Sequence, residues 1–316
     1  MKKLRVVFCG TPDFSVPTLD SLNNNSSIEI VSVVSMPSRP RGRGMELQDP
    51  EVISYAKEKS LPYFQCENIN KEEEFLAKLK TQEVDLIIVL AFAQFLGSRI
   101  LNLPKIGCFN IHTSILPRFR GAAPIQHAIL EGDTETGVSI QKMVKKMDAG
   151  DLVHFKTVSI DPEETGGSLY EKLKAQSGIE INEFIQKVIS DSLVFEPQDE
   201  SKVTFAPTLK RTDGSLQFSQ RTTAEIDRQI RALFPWPGTF TFLNGKRLKV
   251  FKAEKYPKSL SPGELSADEN MLLIGCKDGT LRLREVQLEG KKASDDQTLL
   301  NGLKNKYDTF SIEEKI

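Results

Sequence analysis

VDLIIVLAF, residues 84–92, decides the fold. Asp85 is its one charge, so the run has no polar face, as expected of a strand covered on both sides. The same rhythm extends outward from it. Upstream, Leu4–Cys9 is a short apolar run ending at Gly10. A helical segment follows at about Phe14–Leu22, opened by Thr11-Pro12-Asp13 and closed by Asn23–Ser27. Ile28–Val34 reads as a second strand, Glu51–Lys59 as a helix, Tyr63–Phe64 as extended chain and Lys71–Leu79 as a helix. Downstream, Gly107–His112 is another strand and Ala123–Leu130 begins another helix. Alternation of this kind predicts a doubly wound α/β sheet, whose ligands bind beyond the carboxyl ends of the strands.

The chain has 316 residues, 39% hydrophobic and 27% charged, which fits two globular domains and argues against wholesale disorder. No apolar run reaches the ~18–20 residues of a membrane span. The start, MKKLRVVFCG, is broken by Arg5 and reads as a first strand, not a signal peptide. Cys9, Cys66, Cys108 and Cys276 are scattered without a CxxC pair, which points to a reducing, cytoplasmic setting. His112, His127 and His154 form no HxxxH pair, so no zinc site is expected. The net charge of −1 excludes a globally basic nucleic-acid protein, although residues 210–316 hold nineteen Lys/Arg against fifteen Asp/Glu.

Val138–Met143 and Leu152–Ile160 read as strands around the turn Asp148-Ala149-Gly150-Asp151, and Leu169–Ile189 as a long helix. The texture then changes. Domains are expected at residues 1–193 and 211–316, with a polar linker at 194–210. The second domain has one helix, Thr223–Leu233. Short strands follow at Gly238–Leu243, Leu248–Ala253, Met271–Gly275 and Leu281–Val286, with Asn244-Gly245 and Asp278-Gly279 as turns. That spacing predicts a small barrel or sandwich. Trp236 is expected to pack between C-terminal elements.

Asn110 and His112 lie two apart, so both side chains project from the same face at the strand's carboxyl end. An amide and an imidazole there could hold an oxyanion; equally, they could be a hydrogen-bonded polar pair ending a strand. Asp148 sits in a turn that needs no function. Beside His112, however, its carboxylate would favour the imidazolium. Ser114–Pro124, with Arg118 and Arg120, reads as an anion-binding loop at a helix start or as a solvated loop. Pro37–Gly44 (PSRPRGRG) is basic and mobile in expectation, either a phosphate-contacting loop or plain surface. Cys9–Asp13 lacks the GxGxxG spacing of a dinucleotide site, and Pro12 and Asp13 suit a helix start.

Together these stretches resemble the methionyl-tRNA formyltransferase family over essentially the whole chain. GCFNIHTSILPRFRGAAPIQHAI (Gly107–Ile129) is the most specific part. FCGTPDFSVPTL, RPRGRG, ETGVSIQKMVKKMDAGD (Glu135–Asp151), RALFPWPGTF (Arg231–Phe240) and GKK (Gly290–Lys292) support it. Phe119 stands where the family commonly has tryptophan. Met45-Glu46-Leu47-Gln48 is less basic than the stretch often found there.

The resemblance implies transfer of a formyl group from 10-formyltetrahydrofolate to the α-amino group of methionine on initiator tRNA, for translation initiation. It implies a Rossmann-like, doubly wound formyltransferase domain followed by a small OB-like β-barrel domain that binds tRNA, no metal, and a monomer. Its catalytic trio falls on Asn110, His112 and Asp148. Asn110 and His112 would stabilise the oxyanion, while Asp148 would orient His112 and assist proton removal. Its folate segments fall on Ser114, Ile115, Leu116 and Pro117, and on Phe92, Ala93, Gln94 and Leu96. Its tRNA contacts fall on Arg41, Arg43 and Lys210.

Overall fold

A computed structural model describes residues 3–42, 44–267, 270–303 and 310–314. The chain divides into two compact units. The first holds residues 1–124, 135–159 and 170–206; the second holds 125–134, 160–169 and 207–316.

In chain order the elements up to residue 206 are β1 (Leu4–Gly10), α1 (Val16–Asn23), β2 (Ile28–Ser35), β3 (Arg39–Arg41), β4 (Glu46–Gln48), α2 (Glu51–Glu58), β5 (Tyr63–Gln65), α3 (Glu73–Thr81), β6 (Leu86–Leu90), α4 (Ser98–Leu101), β7 (Gly107–His112), β8 (Arg120–Gly121), α5 (Pro124–Glu131), β9 (Glu135–Lys142), β10 (Leu152–Ser159), α6 (Gly166–Ile189) and β11 (Phe205–Ala206). Seven strands form the main sheet in the order β10-β9-β7-β6-β1-β2-β5. The pairs β5–β2, β2–β1, β1–β6 and β6–β7 are parallel, whereas β9 and β10 join antiparallel at one edge. The chain moves outward from β1 to β2 and β5, then returns to lay β6 and β7 on the other side. The order therefore reverses at β1/β6, where an open α/β sheet forms its ligand crevice.

β6 is buried along its whole length, as its apolar sequence requires. One face of the sheet packs Val7, Cys9, Val34, Ile87, Val89 and Cys108 into a core with Leu76 and Leu79 of α3. On the other face Phe109 meets Phe184 of α6, ring centroids 4.8 Å apart. The exits of β1 and β6 are tied together: Ser15 Oγ donates to Leu90 O at 2.7 Å and Thr11 Oγ1 to Phe92 O at 3.3 Å.

The second unit contains α7 (Thr223–Ala232), β12 (Thr239–Leu243), β13 (Lys246–Tyr256), β14 (Leu265–Ser266), β15 (Leu273–Cys276), β16 (Gly279–Leu288), β17 (Ser294–Asp295), α8 (Asp296–Asn301) and β18 (Ile312–Glu313). Its sheet runs β14-β15-β16-β13-β12-β18, with β17 on β16, and is antiparallel throughout: a near-barrel. Register shifts in β13 at Val250–Ala253 supply the bulges that curl such a sheet. Thr222 and Glu225 cap α7 reciprocally, and Ile226 and Ile230 on its inner face join Leu248, Val250 and Leu283 in the core. No described helix is long and apolar enough to cross a membrane.

Three expectations change. Trp236 is 54% exposed and Phe234 42% exposed, because Phe234-Pro235-Trp236-Pro237 is a turn between α7 and β12 and lies on no element face. The basic stretch after β2 is a hairpin: β3 pairs with β4, and Arg39 and Arg41 reach Glu67 and Glu51, each at 2.7 Å. The polar stretch after α6 is held against the first unit. Glu196 bridges Leu152, and β11 runs parallel to β8.

Candidate active site

β7 places the first two site residues. Cys108, Asn110 and His112 share one face, and Cys108 anchors it in the core. Asn110 and His112 continue that face beyond the apolar part of the sheet. Antiparallel pairing sets Gln141 of β9 opposite Asn110 and Ser139 opposite His112. The turn after β9 then returns Asp148 over this edge.

Asp148 has φ +50°, a left-handed conformation that aspartate tolerates better than most residues. Gly150 permits the turn: a Cβ there would stand 1.6 Å from the carbonyl oxygen of Lys142. The carboxylate is enclosed by donors. Oδ1 accepts from Gln141 Nε2 at 3.1 Å and from Asn110 Nδ2 at 3.5 Å, and Oδ2 accepts from the Gly121 amide at 2.9 Å. Its lone pairs are thus largely committed, which fixes the orientation of the carboxylate.

His112 is 6% exposed. Its Nε2 lies 2.8 Å from the carbonyl oxygen of Phe119. A carbonyl only accepts, so Nε2 carries a proton. Nδ1 faces Asp148 Oδ2 at 3.8 Å, longer than a hydrogen bond. With Nε2 committed, Nδ1 is the ring atom left to meet a reacting group. Phe119, at φ +58°, is held by its own amide donating to Thr204 Oγ1 at 2.9 Å. Arg120, with its side chain 2% exposed, reaches Glu200 at 2.8 Å and Gln198 Oε1 at 2.8 and 3.1 Å.

The residues expected at the folate segments divide by burial. The loop after β6 leaves beside the loop after β7, because Val89 and Asn110 are register partners. Ala93 is exposed at φ +63°, and Gln94, Ile115 and Pro117 are half-buried. Phe92, Leu96, Ser114 and Leu116 are buried and would support a ligand from behind. Gln94 clips its loop down by accepting from the Ile69 amide and donating to Cys66 O, both at 2.7 Å. Ser139 does the same for the other loop, donating to Ser114 O at 2.7 Å and accepting from the Leu116 amide at 3.2 Å. Of the expected tRNA contacts, Arg41 is paired with Glu51, Lys210 is exposed, and Arg43 lies outside the described residues. Among the described residues no group of three His, Cys, Asp or Glu could hold a metal.

The sequence reading missed Ser139, Gln141, Gln198 and Thr204. A signal for the first two was present. In Val138-Ser139-Ile140-Gln141 the apolar residues take one face and the polar ones the other, and both polar side chains are buried.

An amide, an imidazole and an oriented carboxylate thus lie together beyond the end of a parallel strand. Residues 2–185 match the formyl transferase family and residues 208–304 its C-terminal domain. A methionyl-tRNA formyltransferase of Geobacter metallireducens is 37% identical over 303 residues, 96% of each chain. One from Bacillus subtilis is 39% identical over 302 residues, 94% of each. The chain belongs to the methionyl-tRNA formyltransferase family. Among solved structures, the sugar 3N-formyl transferase WlaRD, studied with dTDP and 5-N-formyl-THF, superposes with a TM-score of 0.67 over 92% of this chain and 100% of its own. At 18% identity that likeness concerns the fold.

Proposed function

We propose that Asn110, His112 and Asp148 carry the transfer of a formyl group from 10-formyltetrahydrofolate to the α-amino group of methionyl initiator tRNA. The observation behind it is the convergence of these three side chains beyond β7, in a chain that matches a methionyl-tRNA formyltransferase over 96% of its length.

The neutral amine adds to the formyl carbon, and the formyl oxygen gains negative charge. Asn110 has a second amide hydrogen besides the one directed at Asp148, and it donates that hydrogen to the oxygen. His112 donates from Nδ1. Each well-placed donor to such an oxyanion is typically worth ~3 kcal/mol. Asp148 orients the imidazole, stabilises its cation and takes the amine proton through water. Collapse breaks the bond between the formyl carbon and N10 of the folate, and N10 receives the proton that the amine gave up, so the reaction is proton-neutral.

The loops at Phe92–Leu96 and Ser114–Pro117 hold the folate, with Ala93, Gln94, Ile115 and Pro117 offering its contact surface. Arg41, Arg43 and Lys210 contact tRNA phosphates, and the enzyme acts as a cytoplasmic monomer with residues 211–316 as its tRNA-binding domain. The test is formyl transfer from 10-formyltetrahydrofolate with methionyl initiator tRNA and a UDP-amino sugar run in parallel. Formylated tRNA with an untouched sugar supports the reading. Formylated sugar instead would keep the chemistry and discard the acceptor.

A further inference from the structure

Beyond the Asn110 and Gln141 amides on Oδ1, Asp148 depends on two separate stretches of chain. Its own turn, residues 148–151, sets the backbone, and Gly121 supplies the amide that holds Oδ2. A side chain from a third stretch joins them. Gln198 Nε2 donates to Asp148 O at 2.9 Å and to Gly150 O at 2.7 Å. Its Oε1 accepts from Arg120, the residue before Gly121, at 2.8 and 3.1 Å. The partners fix the amide's orientation: two carbonyls require donors and a guanidinium requires an acceptor. Its neighbours Pro197 and Asp199 are exposed, while Gln198 turns inward.

We propose that Gln198 is a positioning residue for the formyl transfer. It clamps the left-handed turn of Asp148 and, through Arg120, the strand that carries the Gly121 amide. The turn and the restraint on Oδ2 are thereby referred to one side chain, while Asn110 and Gln141 hold Oδ1. The proposal rests on the reading of Asp148 given above. Glutamine has the chemistry the position needs, a two-hydrogen donor at one atom and an acceptor at the other. Glutamate has the same shape and keeps the Arg120 contact, yet sets an oxygen against two carbonyl oxygens.

The experiment is steady-state and single-turnover formyl transfer to methionyl-tRNA by full-length wild type, Q198E, D148N and Q198E/D148N, with thermal unfolding of each. In Q198E kcat is expected to fall on the order of 10- to 100-fold, the scale on which small misplacements act. KM for each substrate should stay within about threefold, since the substrates are met by other residues. In the D148N background Q198E should add little further loss, because the two changes act at one point. Should Q198E not fold, Q198A, which leaves room for water, carries the same expectation. A kcat within twofold of wild type, or equal proportional losses in both backgrounds, would overturn the role of Gln198 alone. A D148N enzyme at wild-type rate would remove Asp148 from the mechanism and take this proposal with it.

Discussion

Gln141 and Asn110 face each other across β7 and β9, and both direct an amide at Oδ1 of Asp148. The carboxylate is thus oriented from below by two strands and from the side by the Gly121 amide, before any substrate arrives. In the proposed mechanism the carboxylate therefore needs no reorganisation at the moment of reaction.

The turn that delivers Asp148 has no room for a side chain at Gly150. Gly150→Ala should cost at least about 2 kcal/mol and lower activity together with stability, since a methyl group would displace the Lys142 carbonyl. Thermal unfolding and kcat measured on the same preparation check this. A variant with wild-type values for both would mean that the turn is placed by something else.

Glu200 gives a pH signature to the support behind the site. Hydrogen bonds from Arg120, and then from Lys146, hold its carboxyl at about 2, against an ordinary 4.5. A carboxyl lowered on folding contributes stability that is complete above its unfolded value and is lost as pH falls through the folded one. Glu200→Gln should therefore lower Tm at pH 7, and the gap should close between pH 4.5 and 2. High salt should narrow it as well, because the group is exposed. A gap independent of pH would contradict this.

The thiols should be inert in the folded enzyme. Burial pushes Cys108 and Cys276 up to about 12 and Cys66 up to about 11, and it raises Cys9 as well. All four are free and buried. Alkylation at pH 8 should be slow until denaturant is added, and then all four should react. Rapid labelling of any one in the native protein would contradict the packing described for it.

Arg41→Ala combined with Arg43→Ala should raise KM for methionyl-tRNA roughly tenfold and flatten its salt dependence, while KM for the folate stays put. Arg41 already holds Glu51, so part of any phosphate contact is offset by the ion pair it gives up. Equal losses for both substrates would assign these arginines a structural role.

How far the sequence carried the account follows from where each constraint is encoded. The period of two put Asn110 and His112 on one face, and the apolar run at residues 84–92 required a doubly covered strand; both are local facts. The Asp148 turn was also visible in Asp-Ala-Gly-Asp. That Asp148 meets His112 depends on β9 pairing antiparallel beside β7, a long-range choice that spacing alone does not encode. Gln198 and Thr204 were read as linker because their composition is polar; their work is to satisfy loop carbonyls and amides more than 40 residues away. Trp236 lies between two prolines that make a turn, so its apolar side chain is 54% exposed and lies on no element face.

The most direct measurement is single-turnover formyl transfer by His112→Ala with donor and methionyl-tRNA both bound. The account expects the chemical step to slow by a factor on the order of 100 or more, the loss typical of one oxyanion donor. Folate binding should remain close to wild type and the fold should stay intact. A chemical step near the wild-type rate would remove His112 Nδ1 from the reaction and contradict the central claim.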